Sequence, residues 1–385
     1  MKVAIVGASG FVGSTLAERL RNRADLEVVP CIHSTGSAGQ IARLGISLTP
    51  LNLLDRDSVA RTVRGCTHVV NCSRGDDEVM LKGLRNLLKA CRSARVRRLV
   101  HLSSVAVYGD PPSPDSATED GRAEPDPGSY GWVKLAQDRM VAEAAAAGLP
   151  ATILCPPNIS GVQSGYIEMI VGALLRGELA LLEGGRSPCN LVDVRNLAHA
   201  IELALVSGPA DGRRMLLTDD DPATWHDVVD SLSPLVGNVP ISGISRDDLV
   251  RLIAAPETPR ISLKKSVLHL VSSDVRAALR KDPLWAKVDA ALRGGARLLG
   301  IRAEDRLRLA VEGPTRVLRG DRAPALNIRL CAQQLRGVVH RCDRARRELG
   351  YRPLYTFQQS MAAFRRWYAV FHAWDTPAAP LLKAL

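Results

Sequence analysis

Tyr130 and Lys134 stand four residues apart in Tyr130-Gly131-Trp132-Val133-Lys134, and on a helix that spacing places both side chains on one face. An ammonium beside a phenol favours the phenolate and lowers its pKa from about 10, which makes a general base usable near neutral pH. The same spacing also occurs on ordinary solvated helices. Upstream, the apolar run Arg98-Leu99-Val100-His101-Leu102 ends in Ser103-Ser104. Two hydroxyls at the carboxyl end of a strand read either as caps or as groups that hydrogen-bond a substrate oxygen. At the N-terminus, Val3-Ala4-Ile5-Val6 is followed by Gly7, Gly10 and Gly13, and Val12, Leu16 and Leu20 then recur at helical period. Glycines at this spacing between a strand and a helix remove the side chains that would keep a pyrophosphate from the helix N-terminus, where backbone N–H groups and the macrodipole favour negative charge. The stretch reads as a dinucleotide-binding turn.

The elements that must hold these residues alternate. Strands are expected at Leu26–Ile32, Ser47–Leu51, His68–Cys72 and Arg98–Leu102, with helices through Ile41 and Leu44, from Asp55 to Val63 and from Val79 to Ala94. A helix continuing from Tyr130 through Leu135, Met140 and Val141 follows a loop rich in Pro, Asp and Glu from Asp110 to Gly128. Alternation with short connections means an α/β fold, a doubly wound parallel sheet with helices on both faces. Residues 1–154 are expected to bind the dinucleotide and 155–385 to form a smaller, mainly helical substrate region. Within the latter, about 190–220 returns to the first domain through a strand at Met215–Thr218. The second strand ends in Ile32, His33, Ser34 and Thr35, where an acid would select NAD and an arginine NADP. Neither is present, and the missing carboxylate tilts the reading towards NADP without deciding it.

With these residues in order, the chain resembles the extended short-chain dehydrogenase/reductase family, also called the NAD-dependent epimerase/dehydratase family. Gly7/Gly10/Gly13, Ser103-Ser104 with Val107-Tyr108-Gly109, Tyr130/Lys134, Ile153-Leu154-Cys155-Pro156-Pro157-Asn158 and Asn190-Leu191-Val192-Asp193 through Ala198 carry the likeness, which resumes at Asp343 to Pro353. The resemblance implies a Rossmann fold and a homodimer, with Ser104 as the catalytic hydroxyl, Tyr130 as the base and Lys134 as its tuner and a ligand of the nicotinamide ribose. Contacts to NAD or NADP are expected from Gly7, Gly10, Phe11, Val12, Gly13, His33, Asn52, Leu53, Ser103, Tyr130, Lys134 and Pro157. Family members that eliminate water carry an Asp-Glu pair after the catalytic hydroxyl, where this chain has Val105 and Ala106. The arginine that clamps a nucleotide-sugar pyrophosphate falls at Cys189, with Arg186 near enough to substitute, and the loop Ser73–Val79 is short for the family. The expected activity is hydride transfer at a secondary alcohol or ketone carbon of a small molecule, as a dehydrogenase, reductase or epimerase and not a 4,6-dehydratase. A cofactor-binding sensor without turnover is the alternative.

Composition narrows the rest. The chain of 385 residues carries a net charge of +11, and from Arg260 to Arg352 there are 22 Lys and Arg against 9 Asp and Glu. That segment, with a basic helical insertion at 245–334, reads either as solvated helices or as the surface for an anionic partner or membrane. Sparse aromatics and the absence of a reading motif argue against nucleic acid. The sequence shows no signal peptide and no apolar run of the roughly 20 residues a membrane span needs, so a cytoplasmic protein is expected. Cys31, Cys72 and Cys155 sit in apolar strand patterns as small hydrophobes, and Cys331, His340 and Cys342 match no metal-ligand spacing. No metal is expected.

Overall fold

Val3, Ala4, Ile5 and Val6 are at most 1 % exposed, which an uninterrupted apolar run achieves in a parallel strand covered on both faces. The computed structural model describes residues 1–34, 36, 38–220, 222–237, 239–254 and 326–372. Seven parallel strands form the main sheet: β1 (Lys2–Val6), β2 (Glu27–Ile32), β3 (Thr49–Pro50), β4 (His68–Asn71), β5 (Arg98–Leu102), β6 (Ala151–Cys155) and, last in the sheet, Asp211–Leu216. The spatial order runs from Asp211–Leu216 through β6, β5, β4, β1 and β2 to β3. The chain winds outward from β1 to β3, returns to β4 on the other side, and winds outward again. The crevice where that order reverses, at the carboxyl ends of β1 and β4, is where such sheets bind ligands.

Helices cover both faces. α1 (Phe11–Leu20) and α2 (Gly39–Ala42) lie over one face, with Leu16, Leu20 and Ile41 fully buried; α3 (Arg56–Val63), α4 (Leu84–Ser93) and α5 (Tyr130–Ala146) lie over the other. A third apolar cluster is built by α6 (Gly165–Leu175), Trp225–Val236 and Phe357–Phe371 around Trp225 and Phe364. Val194–Val206 and Asp343–Leu349 pack with α1 on the main sheet.

α2 stops at Ala42, short of the Leu44 expected in it, and three further elements differ from their sequence readings. The strand expected at Ser47–Leu51 is only Thr49–Pro50, since Pro50 has no N–H to extend the ladder. The helix expected from Val79 to Ala94 opens as a π-helical turn, Val79–Gly83, before α4; a Cβ at Gly83 would come within 2.9 Å of Leu53. The strand expected at Met215–Thr218 begins earlier, at Asp211, with a register irregularity between Asp211 and Arg214.

The chain divides into two units, Met1–Val250 with Ala325–Leu385, and Arg251–Pro324. Beyond Ala254 the second lies outside the described residues, and with it most of the basic helical insertion expected at 245–334 and most of the basic segment Arg260–Arg352. No described helix is long and apolar enough to cross a membrane.

Candidate active site

The turn after β1 is held by backbone packing. Gly7 adopts φ +82°, and a Cβ there would lie 2.9 Å from the Cys72 carbonyl at the end of β4. A Cβ at Gly13 would overlap the Gly7 carbonyl oxygen, so this glycine lets α1 start directly behind β1. Gly10 is different: a Cβ would meet only the Gly7 oxygen, at 3.3 Å. It is the N-cap of α1, with no side-chain cap and no acid in the first turn. Gly10 thus brings no side chain of its own to the first N–H groups of α1, and these residues fit the pyrophosphate of a dinucleotide.

The remaining expected contacts are distributed along the carboxyl edge. His33 follows β2 and is exposed, while Thr35 lies outside the described residues. Asn52 is exposed and its Oδ1 accepts the Leu54 N–H. Leu53 turns its side chain into the core, leaving its carbonyl to the Asn86 amide at 2.9 Å. Phe11 and Val12 form the first turn of α1, half-buried, and Pro157 follows β6 in the wall of the central cavity. Ser103 is 4 % exposed and does not line that cavity.

Ser104, Tyr130 and Lys134 come together because α5 begins against the turn that carries Ser104. Ser129 caps α5, its hydroxyl accepting the Trp132 N–H at 3.2 Å. A Cβ at Gly131 would overlap the Ala106 carbonyl oxygen, so Gly131 permits the approach that puts Tyr130 and Ser104 into one cavity of about 390 Å³. Sequence reading passed over this glycine, whose necessity appears only when α5 meets residues 105–108. Ser104 also caps, its Oγ accepting the Ala106 N–H at 3.2 Å, which leaves its O–H available as a donor.

Lys134 is 4 % exposed, donates from Nζ to the Leu102 carbonyl at 2.9 Å and sits 5.9 Å from the Tyr130 ring centre. Burial pulls its pKa down to about 8, with Asp138 opposing. The expectation that Lys134 lowers the phenol's pKa is corrected. Although 40 % of Tyr130 opens to the cleft, the atoms packed around the phenol raise its pKa, and the offsetting cation is Arg74, whose guanidinium lies 5.0 Å from the ring centre. Arg74 sits in the loop after β4, 56 residues from Tyr130 in sequence, and only the fold brings the two together.

Arg186 is corrected as well. It is exposed, donates to the Glu183 carbonyl and does not line the cavity. The arginine in the same wall as Cys189 is Arg336, which binds both oxygens of Asp110 at 2.9 and 2.7 Å.

One helical turn beyond Lys134, Asp138 is 4 % exposed, with Arg214 at 3.8 Å. Burial raises its carboxyl to about 6 against the pull of the Ser103 hydroxyl, Arg214 and Lys134. The native state thus holds this proton more tightly than the unfolded chain, so the contribution is full below the unfolded range near 4 and is lost as pH rises through about 6. Asp138→Asn should gain stability relative to wild type across that window, read as a difference in Tm that grows with pH. A constant difference would contradict it.

Comparison with known proteins places this geometry. Residues 3–215 match the model of the NAD dependent epimerase/dehydratase family. A 4-hydroxy-2-methyl-3-oxo-4-farnesyl-3,4-dihydroquinoline-1-oxide ketoreductase of Stigmatella aurantiaca is 24% identical over 62% of this chain and 76% of its own. A UDP-glucose 4-epimerase of Streptomyces lividans is 31% identical over 43% and 54%. The crystal structure of a dTDP-glucose 4,6-dehydratase from Bacillus anthracis in complex with NAD shares the fold, with a TM-score of 0.64 at 15% identity over 98% of this chain and 99% of that one. A family model that spans more than half of the chain, on a parallel sheet with a glycine turn at its switch point, gives the conclusion that this protein belongs to the NAD dependent epimerase/dehydratase family.

Proposed function

We propose that the protein is an NAD(P)-dependent dehydrogenase or reductase acting at a secondary alcohol or ketone carbon. The observation that carries this reading is the meeting of Ser104 and Tyr130 in one cavity, with Lys134 directly behind Tyr130, at the carboxyl edge of the sheet. The nicotinamide dinucleotide, bound through the Gly7–Gly13 turn with Lys134 and Pro157 at its far end, would supply or accept hydride. Ser104 donates its hydroxyl to the substrate oxygen, and Tyr130 takes the proton of the alcohol or returns it to the ketone. The cavity wall beside Ser104 is formed by Val105 and Ala106, and neither can hold the second proton that elimination of water requires. Residues 1–154 are assigned to the dinucleotide and 155–385 to the substrate, with about 190–220 returning to the sheet. Epimerisation by return of hydride to the opposite face is the second reading, favoured by the likeness to a UDP-glucose 4-epimerase.

The test is a change in nicotinamide absorbance when purified protein is offered NAD or NADP with a panel of secondary alcohols, and the reduced cofactors with ketones. Turnover supports the reading, and none with any member contradicts it. Lys134→Met is expected to weaken cofactor affinity and turnover together, because the ammonium held by the Leu102 carbonyl is lost. Calorimetry and steady-state rates check this, and a variant impaired in neither would remove Lys134 from the site.

A further inference from the structure

The charged groups lining or backing the cavity differ in whether they are already satisfied. Arg336 donates to both oxygens of Asp110. Lys134 is buried behind Tyr130 on the Leu102 carbonyl. His340 is held down in pKa by burial, with Nδ1 2.9 Å from the Ser116 carbonyl oxygen. Arg74 has no such arrangement: it lines the cavity from an exposed position on the loop after β4, and among the described residues no carboxylate lies within ion-pair distance of it, although Asp110 and Asp126 line the same cavity. Its guanidinium instead lies 5.0 Å from the centre of the Tyr130 ring.

A guanidinium in a cleft is a planar fork of donors shaped for two carboxylate oxygens. With its guanidinium 5.0 Å from the ring centre of the residue assigned as the base, it is within reach of a group a few bonds from the carbon whose hydroxyl Tyr130 serves. We propose that Arg74 is a substrate-binding residue and that the substrate is a hydroxy or oxo carboxylic acid whose carboxylate stands one or two carbons from the reacting carbinol. This rests on the hydride-transfer reading and adds the substrate class to it. Binding of that carboxylate would also fix the distance between carbinol and phenol, since both partners sit in one contact.

The experiment compares kcat/KM, with the cofactor the protein prefers, for 3-hydroxyoctanoate, its methyl ester and 7-hydroxyoctanoate. A bidentate, charge-assisted contact predicts that wild type prefers the 3-hydroxy acid over the other two by about 10- to 100-fold. Arg74→Gln should abolish that preference, and Arg74→Lys, which keeps the charge and loses the fork, should retain part of it. Equal turnover of acid and ester by wild type overturns the proposal and leaves the hydride-transfer reading standing. So does an Arg74→Gln protein that slows acid and ester by the same factor with a shifted pH profile, since Arg74 would then act through the phenol alone. If no alcohol or ketone of any kind changes the nicotinamide absorbance, both fail.

Discussion

Tyr130→Phe is expected to lower turnover by at least the 10²- to 10⁴-fold typical of lost general acid and base catalysis, while cofactor affinity stays within a few-fold of wild type. The phenol opens to the cavity shared with Ser104, and the ring, which remains in phenylalanine, is what faces the Arg74 guanidinium. Deleting one oxygen therefore removes the proton acceptor without altering the start of α5. Because burial holds the phenol's pKa up and Arg74 only partly offsets it, oxidation by wild type should still be rising with pH above neutrality. Steady-state rates across pH, with cofactor titration of the variant, check both. A Tyr130→Phe protein with wild-type turnover would show that another group moves the proton.

Gly13→Ala should damage stability and cofactor binding at once. The added methyl would overlap the Gly7 carbonyl oxygen and meet the Ala8 Cα at 2.8 Å, both backbone atoms, so α1 must move from the end of β1. Overpacking of this kind costs about 1–3 kcal/mol and sometimes more, read as a fall in Tm. Gly10→Val is the matched control. At that position a Cβ meets only one atom, at 3.3 Å, so the fold should persist while the valine side chain occupies the pyrophosphate's approach. A stable Gly10→Val protein with undiminished affinity for NAD and NADP would place the dinucleotide elsewhere.

Much of this site was legible in the sequence because its signals are local. The run Val3–Val6 and the glycines after it, the apolar strand ending at Ser103-Ser104, and the four-residue step from Tyr130 to Lys134 each report a backbone requirement within a few residues. What could not be read depends on segments far apart in the chain. Arg74 meets Tyr130 across β5 and the 110–128 loop, and Arg336 reaches Asp110 from 226 residues away. The spacing of Tyr130 and Lys134 indicated proximity correctly, but not which cation offsets the phenol's burial, because that depends on how deeply each group is desolvated. Gly131 passed unnoticed for the same reason: a mid-motif glycine on a helix signals nothing until the turn at Val105–Tyr108 is seen against it. Asp138 carried no signal in the sequence, and its burial beside Arg214 became visible only with the last strand of the sheet in place.

The decisive measurement is isotope transfer. Wild-type protein and Tyr130→Phe are each mixed with NADH or NADPH deuterated at the reacting carbon of the nicotinamide, together with a panel of ketones that includes 3-oxo acids, and the products are weighed by mass spectrometry. Hydride transfer at a carbonyl carbon predicts one deuterium on the new carbinol carbon, with labelled product formed at least about 10²-fold more slowly by the variant than by wild type. Unlabelled products from wild type with every ketone, or labelled product formed at the same rate by both proteins, would contradict it.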